Sequence, residues 1–372
     1  MDFLFAPAIG SNEIGKHVSL NQYTVPPAER QSIDVPSCRA AELWPDLTTN
    51  EGPTLRYYCS VRTGAAQLTK IHLLVSDKVS NLPWLVHAFS TRTGGVSSVY
   101  GGNALNLGFT KHDSRAAVER NRELFLKRLG VADGRKSWPL VALRQIHSDL
   151  IHYVDHAPEK PCAGDGLVTD TPQILLAVLV ADCLPVIVVD KKQRAVGVFH
   201  AGWRGTVQRI VEKGVGEMRK HFGSDPRNLH AAIGPGVRDC CYEVGEEVRA
   251  RFETQFAYGA SLFREVKESH PVREKYPLLF LTARPPGHGE QRVSLFLDLV
   301  EANRRQLLDT GVPAKNIDTS APCSACHPEL LFSHRAQNGV TGRMMGVAGI
   351  RSQVSRLQNF RRRSPDRGFL TR

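Results

Sequence analysis

The stretch ILLAVLVADCLPVIVVDKKQRAVGVFHAGWRGT, residues 174–206, constrains the fold of this chain more than any other. ILLAVLV is a continuous apolar run of strand length, which reads as a strand covered on both faces. ADCLP breaks it, VIVVD resumes as a second strand, KKQ turns the chain, and AVGVFH is a third strand ending at His200. After AGWRG, Thr206 has the character of a helix N-cap. Val207, Ile210, Val211, Val215 and Met218 follow at helical spacing, predicting an amphipathic helix over residues 206–221.

Around this centre, PLVALRQIHSDLIHYVD reads as two strands meeting near His147, and LHAAIGP as a strand running into a turn. Val244, Val248, Phe252 and Phe256 predict one further helix. Leu295, Leu299, Ala302 and Leu307 predict another, stopped by Gly311 and Pro313. Strands and helices mix without strict alternation, so the expectation is an α+β domain with a mixed sheet and helices packed on it. That catalytic domain is expected over residues 69–350. Residues 1–68 read as an N-terminal extension, partly disordered or packed on the core, and residues 351–372 as a basic tail.

The tail matters for charge. Of the formal net charge of +11, seven Arg and one Asp after residue 350 carry +6. The remainder is mildly basic, so no nucleic-acid partner is expected. Asp182, Cys183 and Pro185 interrupt the longest apolar stretch, which excludes a membrane-spanning reading. The N-terminus lacks the pattern of a secretory signal, and eight unevenly spaced cysteines do not suggest a disulfide framework. The expected compartment is the cytosol, with an organelle as the alternative.

Three segments carry candidate chemistry. His147 lies at a strand end after Arg144 and Gln145, Cys183 sits at the break between two apolar strands, and His200 terminates the next. A hairpin brings the ends holding Cys183 and His200 together. One thiolate and two imidazoles make a three-ligand set that suits zinc with its fourth position open. The same residues also allow a Cys183 nucleophile activated by a histidine, a Cys-His hydrolase. CSACH, Cys323–His327, matches the c-type haem pattern and a half zinc site. With no export signal and no second pair nearby, Cys323 and Cys326 read as loop cysteines, and the adjacent Cys240 and Cys241 as loop thiols. The glycine-rich TRTGGVSSVYGGNALNLG is not a P-loop, though Arg92 and its backbone N–H groups suit an anion.

FSTRTGGVS, LNLG, RQIHS, GDGLVTD, ADCLPVIVVD, HAGWRGT, IGPGVRDCCYEVGEEV, FLDLVEANRRQLLDTGV and FSHRAQNGVTGR occur in this order. Together they resemble the laccase-like multicopper polyphenol oxidase family, also called the YlmD/YfiH purine nucleoside phosphorylase family. The resemblance implies a four-layer α/β/β/α sandwich and a zinc bound by His147, Cys183 and His200, with copper as the alternative metal. It implies phosphorolysis of adenosine, inosine, guanosine and S-methyl-5′-thioadenosine, together with deamination of adenosine. The partners are then purine nucleosides and inorganic phosphate. In this reading Arg204, and with it Arg92, binds phosphate bidentately. The helix beginning at Thr206 aims its positive end at the same anion. Asp165 in GDG orients a ligand histidine or transfers a proton. Trp203 stacks on the base, and Asn106 and Cys323 complete the substrate-binding set. The family's older label implies a copper-dependent phenol oxidase. A trinuclear copper centre needs clustered histidines, whereas the 14 here are scattered with no H-x-H pair.

Overall fold

The computed structural model of the 372-residue chain describes residues 55–58, 71–132, 136–267 and 293–352. The basic tail beyond 352, and the extension apart from 55–58, lie outside the described residues.

Two six-stranded sheets form the centre. The first runs in the order β1 (Leu55–Tyr58), β2 (Leu73–Ser76), β3 (Leu85–Ser90), β16 (Met344–Ile350), β8 (Leu175–Val180) and β5 (Leu140–Ala142). The second runs β15 (Ile317–Asp318), β11 (Leu229–Ile233), β9 (Leu184–Asp190), β10 (Ala195–Ala201), β7 (Gly166–Thr169) and β6 (Ile151–Tyr153). A small third sheet orders β12 (Glu243–Val244), β14 (Val293–Leu297) and β13 (Phe263–Lys267), while β4 (Thr93–Ser97) stands apart. Both large sheets are mixed: β5 pairs parallel to β8, and β6 parallel to β7, among antiparallel neighbours.

Alternation along the strands explains the layering. In β8, Leu176 and Val178 enter a core shared with Ile187, Val189, Val196 and Val198 of the second sheet. The intervening Leu175 and Ala177 face an outer core with Phe125 of the helix Arg115–Arg128. In the second sheet, Val186, Val188 and Phe199 face Ile210, Val215, Phe252 and Leu307 on the opposite outer side. Every strand of the central run is therefore covered twice, which is why the sequence there reads as unbroken hydrophobicity. The result is the expected α+β sandwich of four layers, helix, sheet, sheet, helix.

The outer helices differ from expectation in their starts. The predicted helix over 206–221 is two pieces, Trp203–Val207 and Ile210–Phe222, separated by Arg209 in left-handed backbone (φ 64°). Thr206 is not an N-cap. Gly202 holds that position, and Thr206 is buried, with Asn303 Nδ2 donating to its hydroxyl at 3.0 Å. Arg209 is held in its turn by tertiary contacts, donating to Glu212 and to the Gln255 carbonyl while lying over Phe256. Val244 and Leu295 belong to strands rather than to the helices that follow, Glu246–Gln255 and Leu299–Asp309. Gly214 lets the second helical piece close on β10, because a Cβ there would sit 2.4 Å from Phe199 Cζ.

Of the connections that cross from one large sheet to the other, three carry the residues of interest. Residues 143–150 link β5 to β6, residues 181–183 link β8 to β9, and residues 319–343 link β15 to β16.

Candidate functional site

His147 comes from the first of these crossings, Cys183 from the second, and His200 from the end of β10 beside them. The pairing of β9 with β10 sets Leu184 opposite Ala201 and Pro185 opposite His200, so Cys183 lies next to His200 as the hairpin reading requires. His200 continues the inward-facing series of Val196 and Val198, which aims its ring between the sheets.

Asp165 organises the group. Fully buried just before β7, it accepts the backbone N–H groups of Ile146, His147 and Ser148, the last at 2.6 Å, and the Ser148 hydroxyl at 2.7 Å. Oδ1, which takes the His147 N–H, also meets His200 Nδ1 at 2.7 Å, while Ile146 and Ser148 use Oδ2. One carboxylate thus shapes the loop that presents His147 and fixes the ring of His200, leaving Nε2 as the free nitrogen. Gln145 ties the same loop to β8, donating to the Leu179 carbonyl and accepting its N–H. Strain gathers here: His147 (φ 58°) and Asp182 (φ 90°) are both in left-handed backbone, held by these contacts.

The ring centroids of His147 and His200 are 5.0 Å apart at 74°, and Cys183 Sγ is 4.0 Å from His147 Nε2. One donor atom from each of the three residues lies within 4.8 Å of the others. A tetrahedral zinc with bonds of about 2.0–2.3 Å needs donors roughly 3.3–3.8 Å apart, so the three residues fit such an ion with small adjustment. Gly202 leaves the room: a Cβ there would be 2.9 Å from Cys183 Sγ and 3.3 Å from His147 Cδ2.

Electrostatics prepare the donors. Burial pushes the Cys183 thiol up, but the adjacent His200 charge and hydrogen bonds from both imidazoles outweigh it and bring it down to about 6. Burial lowers His200, and the Cys183 thiolate with Asp165 overcomes that, raising it to about 9. Asp165 is pushed up by burial and brought down to about 2 by the hydrogen bonds from His200 and Ser148. A thiolate available at neutral pH is the form that binds a metal or attacks an electrophile.

The three residues open into a cleft of about 920 Å³. Its walls carry Lys111, His112, His334, Arg335 and Arg343, and no carboxylate other than Asp182. Asp182 is committed: it accepts the Ser324 hydroxyl and the Arg335 backbone N–H, each at 2.7 Å. Arg335 lies over the ring of Tyr242, which also lines the cleft and whose phenol is pushed up by burial. Among the described residues, Arg335 and Lys111 have no salt bridge to a carboxylate. The cleft therefore offers unpaired positive charge beside the Cys–His group, an arrangement that receives an anionic reactant.

The other expected site residues are placed differently. Arg204 is exposed on the first helical piece, stacked over Trp203 at 4.5 Å, and neither residue lines the cleft. Arg92 gives its guanidinium to the Pro328 and Tyr100 carbonyls beside a separate, smaller pocket that Gly94, Gly101 and Gly102 also line, and of the glycine-rich segment Gly108 alone reaches the main cleft. Asn106 is buried beneath the wall, accepting the N–H groups of Gly108 and Arg343 and donating to Asp113. Cys323 is also outside the cleft. It joins Cys240, Cys241 and Cys326, which corrects the reading of these four as unrelated loop thiols. Arg335 and Arg343 stand in FSHRAQNGVTGR, but nothing in that string says which basic residue turns inward. Their position depends on the path of a 25-residue connection (319–343).

The sequence pattern of the family described as multi-copper polyphenol oxidoreductase laccase matches residues 86–351. The purine nucleoside phosphorylase YlmD of Bacillus subtilis is 31% identical over 278 residues, covering 72% of this chain and 89% of that protein. A protein named adenosine deaminase RL5, from an unknown prokaryotic organism, is 34% identical over 267 residues, covering 69% and 91%. The crystal structure of YlmD from Geobacillus stearothermophilus aligns with a TM-score of 0.61 at 30% identity, covering 75% of this chain and 96% of that one. No helix among the described residues is long and apolar enough to cross a membrane.

Proposed function

This chain belongs to the multi-copper polyphenol oxidoreductase laccase family, whose relatives bear purine-nucleoside names. We propose that it is a zinc-dependent purine nucleoside enzyme. Its reactions are phosphorolysis of adenosine, inosine, guanosine and S-methyl-5′-thioadenosine, and hydrolytic deamination of adenosine. The observation that carries this reading is the convergence of His147, Cys183 and His200 at a cleft rimmed by Lys111, Arg335 and Arg343. We take residues 69–350 as the catalytic domain.

When bound by His147, Cys183 and His200, zinc supplies a Lewis-acidic centre with one position open to a reactant. Asp165 keeps His200 turned so that Nε2 faces that centre, and keeps the His147 loop in its strained form. Arg335 binds the phosphate that attacks the anomeric carbon, its planar fork matching two phosphate oxygens, and Arg343, whose Nη1 already donates to the Thr341 and Gly342 carbonyls, adds positive charge to the same wall. Tyr242, a phenol that is neutral at pH 7 and is pushed further up by burial, adds a hydroxyl donor to the same wall. Deamination takes water in place of phosphate and so relies on the Cys–His group without the arginines. The phosphate role first given to Arg204 passes to Arg335 because Arg335 lines the cleft and Arg204 does not.

The test is an assay of the full chain with inosine, with and without phosphate, alongside its zinc and copper content. Phosphate-dependent release of hypoxanthine by zinc-loaded protein is the expected result. Oxidation of a phenol by copper-loaded protein, with no phosphorolysis, would overturn it.

A further inference from the structure

Cys240 and Cys241 follow β11 and the Gly236 turn, while Cys323 and Cys326 lie on the 319–343 crossing. These two loops are stitched together by backbone: Gly236 bridges Cys323, Ser324 N–H donates to the Gly236 carbonyl at 2.9 Å, and Arg238 reaches the Thr319 carbonyl. The stitching gathers four sulfur atoms, all within 4.8 Å of one another. Cys326 Sγ is 3.5 Å from Cys240 Sγ and 3.4 Å from Cys241 Sγ.

We infer that Cys240, Cys241, Cys323 and Cys326 form a second metal site, a tetrathiolate that holds zinc and braces the wall of the cleft. Four sulfurs around an ion at about 2.3 Å stand roughly 3.8 Å apart, close to the spacing seen here. A disulfide is a poorer account of the group. It needs only two sulfurs, at about 2.05 Å, and Cys326 is almost equidistant from two candidates, with the buried Cys323 left over. Soft thiolates with no imidazole or carboxylate favour zinc among common divalent ions, in a closed site without an open position. Binding one Zn²⁺ releases four thiol protons to solvent and changes no oxidation state.

The site sits where it can act on the cleft. Tyr242 follows Cys241 directly, and Ser324, between Cys323 and Cys326, gives its hydroxyl to Asp182, which also accepts the Arg335 N–H. A metal at the four cysteines therefore fixes one turn that supports Asp182, Tyr242 and Arg335 together. It is a positioning element and touches no reactant.

The experiment counts zinc per full-length chain, purified under reducing conditions without chelator. Wild type is expected to hold two equivalents, a His147→Ala/His200→Ala chain one, and a Cys326→Ser chain one. The double-histidine chain leaves the four cysteines intact, so it tests them even if Cys326→Ser fails to fold. Titrated with Co²⁺, it should saturate at one equivalent, with charge-transfer absorption of four cobalt–thiolate bonds. This inference does not depend on the proposed function, and the variants separate the two. One equivalent in wild type that vanishes from the double-histidine chain overturns the tetrathiolate and leaves the first site standing. One equivalent that vanishes only with Cys326→Ser does the reverse. Recovery of a Cys326 disulfide to Cys240 or Cys241 as the main form in protein alkylated at cell lysis, with no reductant added, also overturns the tetrathiolate.

Discussion

At the scale of single residues, two side chains separate binding from chemistry. Arg335→Lys keeps the charge and loses the planar fork, so the KM for phosphate is expected to rise about tenfold or more while adenosine deamination changes little. Steady-state kinetics of both reactions on one preparation check this, with Arg204→Lys expected to leave both near wild type. Equal loss of the two rates would count against a phosphate role for Arg335. Asp165→Asn should behave in the opposite manner. An amide group in place of a carboxylate oxygen turns a donor toward donors, either the Ser148 and Ile146 N–H groups or His200. Zinc affinity, measured by chelator competition, is expected to fall about 10–100-fold, and both activities should fall with it. Cys183 and His200 were legible in the sequence because each is a metal-ligand type at an end of an apolar strand, whereas His147 read as a strand end and lies inside the 143–150 crossing, where Asp165 rather than a strand holds it. Asp165 was half legible, since GDG suits a turn carboxylate as well as a histidine partner, and here one residue does both. Arg335 was not legible, because many surface arginines look the same along a chain and only the path of the crossing selects one.

Among elements, the clearest departure is the broken helix after HAGW. Hydrophobic spacing from Val207 to Met218 fits one helix, and the break at Arg209 has no glycine to announce it. What fixes the break is non-local: Arg209 docks on Gln255 and Phe256, and Thr206 on Asn303. The sequence therefore shows the helix and hides its interruption. Thr206→Val removes a buried hydroxyl and leaves the Asn303 amide short of a partner, at a cost of about 1–3 kcal/mol. Urea unfolding should show the lower midpoint with an unchanged slope, and an unaltered midpoint would mean the Thr206–Asn303 contact contributes nothing. The four-cysteine group is hidden for the same kind of reason. Cys241 and Cys326 meet across 85 residues, beyond the range at which spacing carries information.

On the scale of the whole molecule, the double cover of the central strands was readable from their unbroken hydrophobicity, while the pairing of strands into two sheets was not. Burial also sets an acid limit. His87, inside the first sheet, accepts the Ser76 N–H at Nε2 and is lowered by burial to about 4. A histidine depressed when folded binds protons more readily unfolded. Its stabilising share is complete above about pH 6.5 and is lost as pH falls through about 4, roughly 3 kcal/mol in all. Asp165, brought down to about 2, adds a second loss as pH falls from about 4 toward 2. Denaturant midpoints measured from pH 7 to pH 4 should drop steeply for wild type and less for His87→Gln, and parallel curves would exclude His87 as the cause. The connections 143–150, 181–183 and 319–343 all pass between the sheets at the site. If one slab slid against the other by an ångström, His147, Cys183 and His200 would no longer converge. Any ligand that needs those three together is, by linkage, a ligand that opposes the slide. Recognition and mechanical cohesion are then one equilibrium in this protein: what the cleft holds also rivets the two halves of the sandwich.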